Sequence, residues 1–308
     1  MSLADAPVGC VPIVWNNADL SDLAPEVSGA AVMDEIARLG FDGLQFGRGL
    51  PDGEDLRREL QRRGLRLAEL YSTLTTTPEG LAPDAEEIGR RDLDRLVAGG
   101  GEVLTVAVFG DPTREPWAGR VSDGAPQWPD RAFDDLARVL EHLAAAAPNG
   151  VRVAFHPHTA SWVESPHEVD QLADRLAATG AGLCLDVGHY LVGGGDPVRA
   201  IERYRDLVTH VHVKDVDPGV LARLRAGQID GFAGAIRERL FTEAGNGALD
   251  LDGVLRALDR IGYDGWLMVE QDSSWLRPGE AAAIGRRSLI AALDQARVAE
   301  PTAGRRPA

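Results

Sequence analysis

Residues 151–186, VRVAFHPHTASWVESPHEVDQLADRLAATGAGLCLD, decide how the rest of the chain is read. The run opens on β-branched and aromatic residues, VRVAFH at 151–156. Pro157 then ends the strand, because it has no N–H to give to a sheet ladder. Ser165, Pro166 and Glu168 follow as N-cap, first-turn proline and capping-box partner, so a helix is predicted over 166–178. A second apolar run, GLCLD, arrives at 182–186. Two neighbouring strands joined through a helix run parallel; an antiparallel pair would need only a tight turn.

The same alternation extends in both directions. Strand-like runs occur at 10–15, 43–46, 65–72, 102–108, 151–156, 182–186, 208–214 and 265–270. Amphipathic helices are predicted at 29–39, 52–63, 83–98, 131–146, 166–178, 197–206, 251–260 and 279–296. Asp196 with Pro197 opens one helix, and Gly40, Gly64 and Gly262 close three. Eight βα units in series, with no Gly-rich phosphate fingerprint after the first strand, indicate an α/β chain folded as a closed (β/α)8 TIM barrel over 1–298, not an open doubly wound sheet. The triplet Gly193–Gly195 lacks the G-x-G-x-x-G spacing and reads as a flexible connection. Two connections are extended, 109–130 after strand 4 and 215–250 after strand 7, and both fall on the C-terminal face where active-site loops sit. They read as lids or interface elements, the second with a short extra helix at VLARLRAG, 220–227.

Bulk composition narrows the class. With 308 residues, 44% hydrophobic and 26% charged, the chain is long enough for a large buried core. A net charge of −16 repels a phosphate backbone, so nucleic acid is not an expected partner. Cys10 and Cys184 sit in apolar runs and read as buried free thiols, which suits a reducing cytoplasm. No apolar stretch approaches a membrane span, and MSLADAPVG lacks the regions of a signal peptide. The tail 299–308 has the composition of a disordered end.

A barrel brings the C-terminal ends of its strands to one mouth, so polar residues far apart in sequence can be collected there. His156 and His158 follow strand 5, Asp186 and His189 strand 6, His210, His212 and Lys214 lie in strand 7, and Glu270 ends strand 8. Earlier strands contribute Trp15, Asn16, Gln45 and Glu69 as substrate contacts. Asp186, His212 and Glu270 each end an apolar strand, and a mixed carboxylate and imidazole set suits a divalent metal, with Mn²⁺ first and Co²⁺, Fe²⁺, Mg²⁺ or Zn²⁺ as alternatives. Strand 7 has period two, so His210, His212 and Lys214 share one face, with His210 deepest and read as a core or supporting histidine.

These residues resemble a known family. HPHTASWVESPHEVDQL, LCLDVGHYLVGGGDP, HVHVKDV, FTEAGNGALDLDGVLRALDRIGYDGWLMVEQD and the opening PIVWNNADL are similar to the xylose isomerase-like barrel superfamily of sugar phosphate isomerases and epimerases, and within it to the inosose dehydratase branch. The resemblance implies one divalent metal held by a Glu ending strand 5, an Asp ending strand 6, a His in strand 7 and a Glu ending strand 8. The last three carry over to Asp186, His212 and Glu270, while the strand 5 position falls on His156. That departure removes one of the two glutamates an epimerase uses to exchange protons across a carbon, and turns the expectation towards elimination. Glu164 is the residue able to restore a carboxylate, if its loop folds back to the metal; as the residue before the Ser165 cap it reads more simply as structural.

The expected chemistry is a dehydration of a cyclic polyol ketone or keto sugar. A metal polarises the carbonyl, a base removes the α-proton, and a β-hydroxyl leaves as water. Lys214, His189, His158 and Glu270 are the candidate acid and base groups, and Trp15, Asn16 and Trp162 a candidate wall for the ring. The rivals are a sugar isomerase or epimerase, and a C-glycoside-cleaving lyase acting on a 3-keto sugar with a small partner subunit. A homo-oligomer is compatible with either.

Overall fold

The computed structural model describes residues 3–18, 20–108 and 110–299. Its centre is a closed barrel of eight parallel strands, each hydrogen-bonded to the next and the last to the first. The strands are β1 (Val8–Cys10), β2 (Gly43–Gln45), β3 (Arg66–Leu74), β4 (Val103–Val108), β5 (Arg152–Phe155), β6 (Gly182–Asp186), β7 (Val208–Val213) and β8 (Leu267–Val269). Seven of them fall on the predicted runs. The first does not: β1 lies upstream, in register with Leu267 and Gly43, and Pro12–Val14 forms a 3₁₀ turn where a strand was expected. Pro12 is the cause, since its fixed φ and missing N–H cannot continue the ladder.

Eleven α-helices are formed among the described residues, beginning with α1 (Gly29–Arg38), α2 (Gly53–Arg62), α3 (Ala85–Gly99), α4 (Asp130–Ala146) and α5 (Pro166–Leu176) outside the barrel, and α6 (Val187–Val192) inserted before α7 (Pro197–Arg203). After β7 the chain forms α8 (Pro218–Arg225) and α9 (Gly231–Arg237) before α10 (Leu251–Ile261) and α11 (Pro278–Ala299) complete the outer ring. Their ends follow local chemistry. The Asp250 side chain accepts from Gly253 N–H to start α10, and Gly262 at φ 72° ends it. Between those caps Leu251, Val254, Leu255 and Leu258 recur at helical spacing and are buried, each worth about 1.5–3 kcal/mol against an exposed state. The Ser165 and Glu168 capping box that sets the start of α5 is present in both directions. Residues 300–308, most of the tail expected to be disordered, lie outside the described residues.

Two expectations about the connections change. Two residues of the Gly193–Gly195 triplet are closely packed: a Cβ on Gly193 would stand 2.4 Å from the Glu164 carbonyl oxygen, and one on Gly195 2.1 Å from the Tyr190 ring, while Gly194 between them, at φ 94°, faces open space. The segment after β7 carries two extra helices, α8 and α9, and a short antiparallel pair, Asp215–Val216 with Phe241–Thr242. This segment has its own apolar core of Val216, Leu221, Leu224, Phe232, Ile236 and Phe241, joined by Ala118 from the loop after β4. The two long loops are therefore tied to each other across the mouth. Glu115 Oε1 accepts the Ala233 N–H at 2.7 Å, supplying a cap that α9 lacks from its own Asp230.

Candidate metal centre and cleft

Strand β6 ends on Asp186 because this residue also starts α6. Its Oδ1 accepts the His189 N–H at 2.8 Å, so the carboxylate is fixed by the helix it caps and its other oxygen is turned inward. In the ladder, Asp186 pairs with His212 and His212 with Met268. His156 continues β5, its N–H bonded to the Val106 carbonyl at 2.7 Å. One donor atom from each of His156, Asp186, His212 and Glu270 falls within 4.8 Å of all the others. All four residues are buried, Glu270 least at 9% exposed.

The group fits a divalent cation. Neither ring nitrogen of His156 nor Asp186 Oδ2 has a hydrogen-bond partner among the described residues, and His156 Nε2 and Asp186 Oδ2 stand 3.5 Å apart. Buried polar atoms left open in this way cost free energy unless a ligand completes them. His212 Nδ1 lies 2.6 Å from Glu270 Oε2 and 3.7 Å from Asp186 Oδ2. Burial opposes charge on His212, but Cys184, Glu69 and Glu270 beside it hold its pKa well above the ordinary value. Burial likewise opposes charge on Asp186, and Lys214 with His156 and His212 holds its carboxyl well below the usual range.

Lys214 stands behind this group. Its Nζ is 2.8 Å from Glu270 Oε1, 2.8 Å from Asp272 Oδ1 and 3.0 Å from His189 Nε2. Burial disfavours its charge, but Asp272, Glu270 and Asp186 push its pKa up, so it is an ammonium. Asp215, the neighbour in sequence, is not its partner: that carboxylate accepts the N–H groups of Val216, Gly245, Gly247 and Leu249.

A cleft of about 860 Å³ opens beside the cluster, lined among others by Gln45, His156, His158, Phe232, Glu270 and Asp272. His158 Nδ1 lies 2.7 Å from the Thr159 carbonyl oxygen. Loss of hydration, with His156 and Lys214 nearby, pushes the His158 imidazole down to about 3. Its ring centre is 4.0 Å from that of His189 and 5.3 Å from that of Phe232.

Several predicted substrate contacts are placed elsewhere. Trp15 packs in the main core and donates Nε1–H to Glu35 at 2.8 Å. Trp162 is 1% exposed, stacks on Trp128 at 5.8 Å and donates to Asp111 at 3.3 Å. Glu69 is fully enclosed in the barrel, where Thr105, His210 and His212 occupy its carboxylate. Asn16 lines the cleft, but its amide is bonded to the backbone of Val27 and Arg48. Gln45 reaches the cleft as expected. His189 and Lys214 sit behind the cleft wall and do not line it.

Glu164 does not join the donor set. Its carboxylate accepts the N–H of Gly119 at 2.6 Å and of Ala160 at 2.7 Å, bracing the loop that carries His158. Ala160 has φ 63°, a left-handed conformation that needs such bracing in a non-glycine residue. Sequence reading missed Asp272, Phe232, Thr159 and Glu115. Asp272 alone had a signal, two residues beyond Glu270 in the run VEQD.

Comparison with known proteins agrees with this architecture. Residues 33–292 match the model of the xylose isomerase-like TIM barrel family. Inosose dehydratase of Clostridium botulinum (strain Eklund 17B / Type B) is 30% identical over 287 residues, covering 92% of this chain and 95% of that protein. Inosose dehydratase of Lacticaseibacillus casei is 30% identical over 292 residues, covering 93% and 97%. Among solved structures, the IOLI protein with a bound zinc atom superposes with a TM-score of 0.69 at 15% identity, covering 94% of this chain and 98% of that one, a likeness of fold. A barrel closed in this order, a donor cluster at its mouth and a family match over most of its length lead to one conclusion: the chain belongs to the xylose isomerase-like TIM barrel family.

Proposed function

We propose that the chain is a divalent-metal-dependent dehydratase of the inosose dehydratase kind, acting on a cyclic polyol ketone or keto sugar. The observation that carries the reading is the convergence of His156, Asp186, His212 and Glu270 beside a cleft that also presents His158. A divalent ion held by those four residues would supply Lewis acidity at a substrate carbonyl.

The remaining chemistry belongs to side chains. With Nδ1–H donated to the Thr159 carbonyl, a neutral His158 ring keeps Nε2 as a proton acceptor. His158 Nε2 takes the proton from the carbon next to the carbonyl. The released electron pair forms the carbon–carbon double bond as the β-carbon–oxygen bond breaks. The departing hydroxide takes the proton back from His158, so water leaves and the residue returns to its starting state. Lys214 and His189 hold the geometry: the ammonium fixes Glu270 and Asp272, and His189 packs on the His158 ring.

The cleft favours an uncharged polyol. The three arginines among its described lining residues are each paired, Arg48 with Glu26 at 2.8 Å, Arg91 with Asp92 at 3.3 Å and Arg95 with Asp52 at 2.7 Å. Asp92, Asp111, Glu115, Glu270 and Asp272 add carboxylates to the same lining. Epimerisation is the weaker reading, because the strand 5 position of the donor set holds His156 and not a second glutamate to work with Glu270, and Glu164 is committed to Gly119 and Ala160.

The test is a screen of inososes and 3-keto sugars with the Mn²⁺-loaded, Co²⁺-loaded and chelator-treated protein, following ultraviolet absorbance. Growth of an enone or diketone band only with metal supports the proposal. Turnover without a new band indicates isomerisation, and an unchanged metal content in His212→Ala removes the basis of the site.

A further inference from the structure

Beneath the donor cluster, Glu69 of β3 gathers three buried side chains. Its Oε2 lies 3.0 Å from His210 Nε2 and 3.0 Å from His212 Nε2, and it accepts the Thr105 hydroxyl at 2.5 Å. His212 Nε2 is also 3.0 Å from Glu69 Oε1, so the carboxylate straddles this nitrogen. Glu69, Thr105 and His210 are 0% exposed and His212 1%, so no water can substitute for any partner.

The Thr105 hydroxyl and two imidazole nitrogens converge on Glu69 Oε2, so this oxygen is their shared acceptor and each imidazole presents N–H to it. His212 therefore presents N–H from Nε2 to Glu69, while Nδ1 faces Glu270 Oε2 at 2.6 Å and Asp186 Oδ2 at 3.7 Å. A cation held on that side would take the place of the Nδ1 proton, and the ring would keep its remaining proton on Nε2. We infer that Glu69 is a positioning residue for the metal centre, fixing the tautomer and ring orientation of His212, with His210 and Thr105 in turn fixing Glu69. The inference rests on the metal reading proposed above. No feature of Glu69's own run, LRLAELYS, marks it for this task; the role follows from its place opposite β7 inside the barrel.

The experiment compares Mn²⁺ affinity of the wild type, Glu69→Gln and His210→Gln by competition with a fluorescent chelator, with thermal melts as a check of folding. Glu69→Gln places an amide N–H₂ against an imidazole N–H and should weaken Mn²⁺ binding roughly 10- to 100-fold. His210→Gln leaves the Glu69–His212 contact in place and should weaken it by no more than about threefold. In ¹⁵N spectra of the Zn²⁺-loaded protein, His212 should carry its N–H on Nε2 in the wild type and lose that preference in Glu69→Gln. Affinity within about twofold of wild type in folded Glu69→Gln overturns the inference. If Glu69→Gln does not fold, Thr105→Val is the substitute, and it overturns the inference if neither affinity nor the His212 tautomer changes. A wild type that binds no Mn²⁺ at all defeats the metal reading and this inference together, a result distinct from equal binding by both proteins.

Discussion

Glu164 makes the structure answerable to a stability measurement that needs no substrate. The side chain is 1% exposed, and its carboxyl pKa is raised from 4.5 to about 7. Burial is the main cause, opposed by the N–H groups of Gly119 and Ala160 and by Arg114. A carboxyl whose folded pKa is raised keeps its proton in the native state at a pH where the unfolded chain has released it. The native state then binds more protons, so stability falls as pH rises from 4.5 towards 7 and is level on either side. At about 1.4 kcal/mol per pH unit the full loss is ~3 kcal/mol. Glu164→Gln cannot titrate, and its loss of one backbone hydrogen bond is a pH-independent offset. The assay is urea unfolding of both proteins in chelator across pH 4–8, read as the difference in stability at equal m-value. Wild type should lose ~3 kcal/mol relative to Glu164→Gln over that interval. A difference constant to within about 0.5 kcal/mol would show that the two N–H donors and Arg114 outweigh desolvation, and the reasoning would be wrong.

Two further substitutions probe how the loops over the mouth are held. Arg114 is fully buried, with Nη1 2.8 Å from Glu168 Oε1 and 2.6 Å from the Pro126 carbonyl oxygen, so Arg114→Met strands the Glu168 charge and should cost about 3–5 kcal/mol in chemical denaturation; a loss below about 1 kcal/mol would mean that Glu168 finds water or a proton instead. Glu115→Ala removes the cap that α9 receives from the opposite loop, a contact worth about 1 kcal/mol, so amide exchange of Ala233 should quicken about fivefold while β7 amides are unchanged. Equal exchange in both proteins would show that the apolar core around Phe232 and Ile236 holds α9 without it.

The order of elements was legible because a parallel barrel writes itself as repetition. Each βα unit carries its own local signals, such as Ser165–Pro166 before α5, Asp196–Pro197 before α7 and Gly262 after α10, and these act within a few residues of chain. Strand ends that finish in Asp186, His212 and Glu270 could be read the same way, since strand direction alone sends them to one mouth. The start of β1 could not, because apolar residues lie on both sides of Pro12 and only pairing with β2 and β8 chooses between them.

Side-chain partnership was decided by tertiary structure. Trp15 and Trp162 looked like a sugar wall by residue type, yet Glu35, Trp128 and Asp111, from distant segments, take them into the core. Glu164, eight residues past His156, had the reach to touch a metal; Gly119, 45 residues away, holds it instead. Lys214 lies next to Asp215 in sequence, but adjacent strand residues point to opposite faces, so its partners are Glu270 and Asp272 from the next strand end. The sequence by itself therefore determined which residues arrive at the mouth, through short-range signals repeated along the chain. Which of them face one another was left to barrel closure, because only closure sets β3 opposite β7 and so brings Glu69 beneath His212.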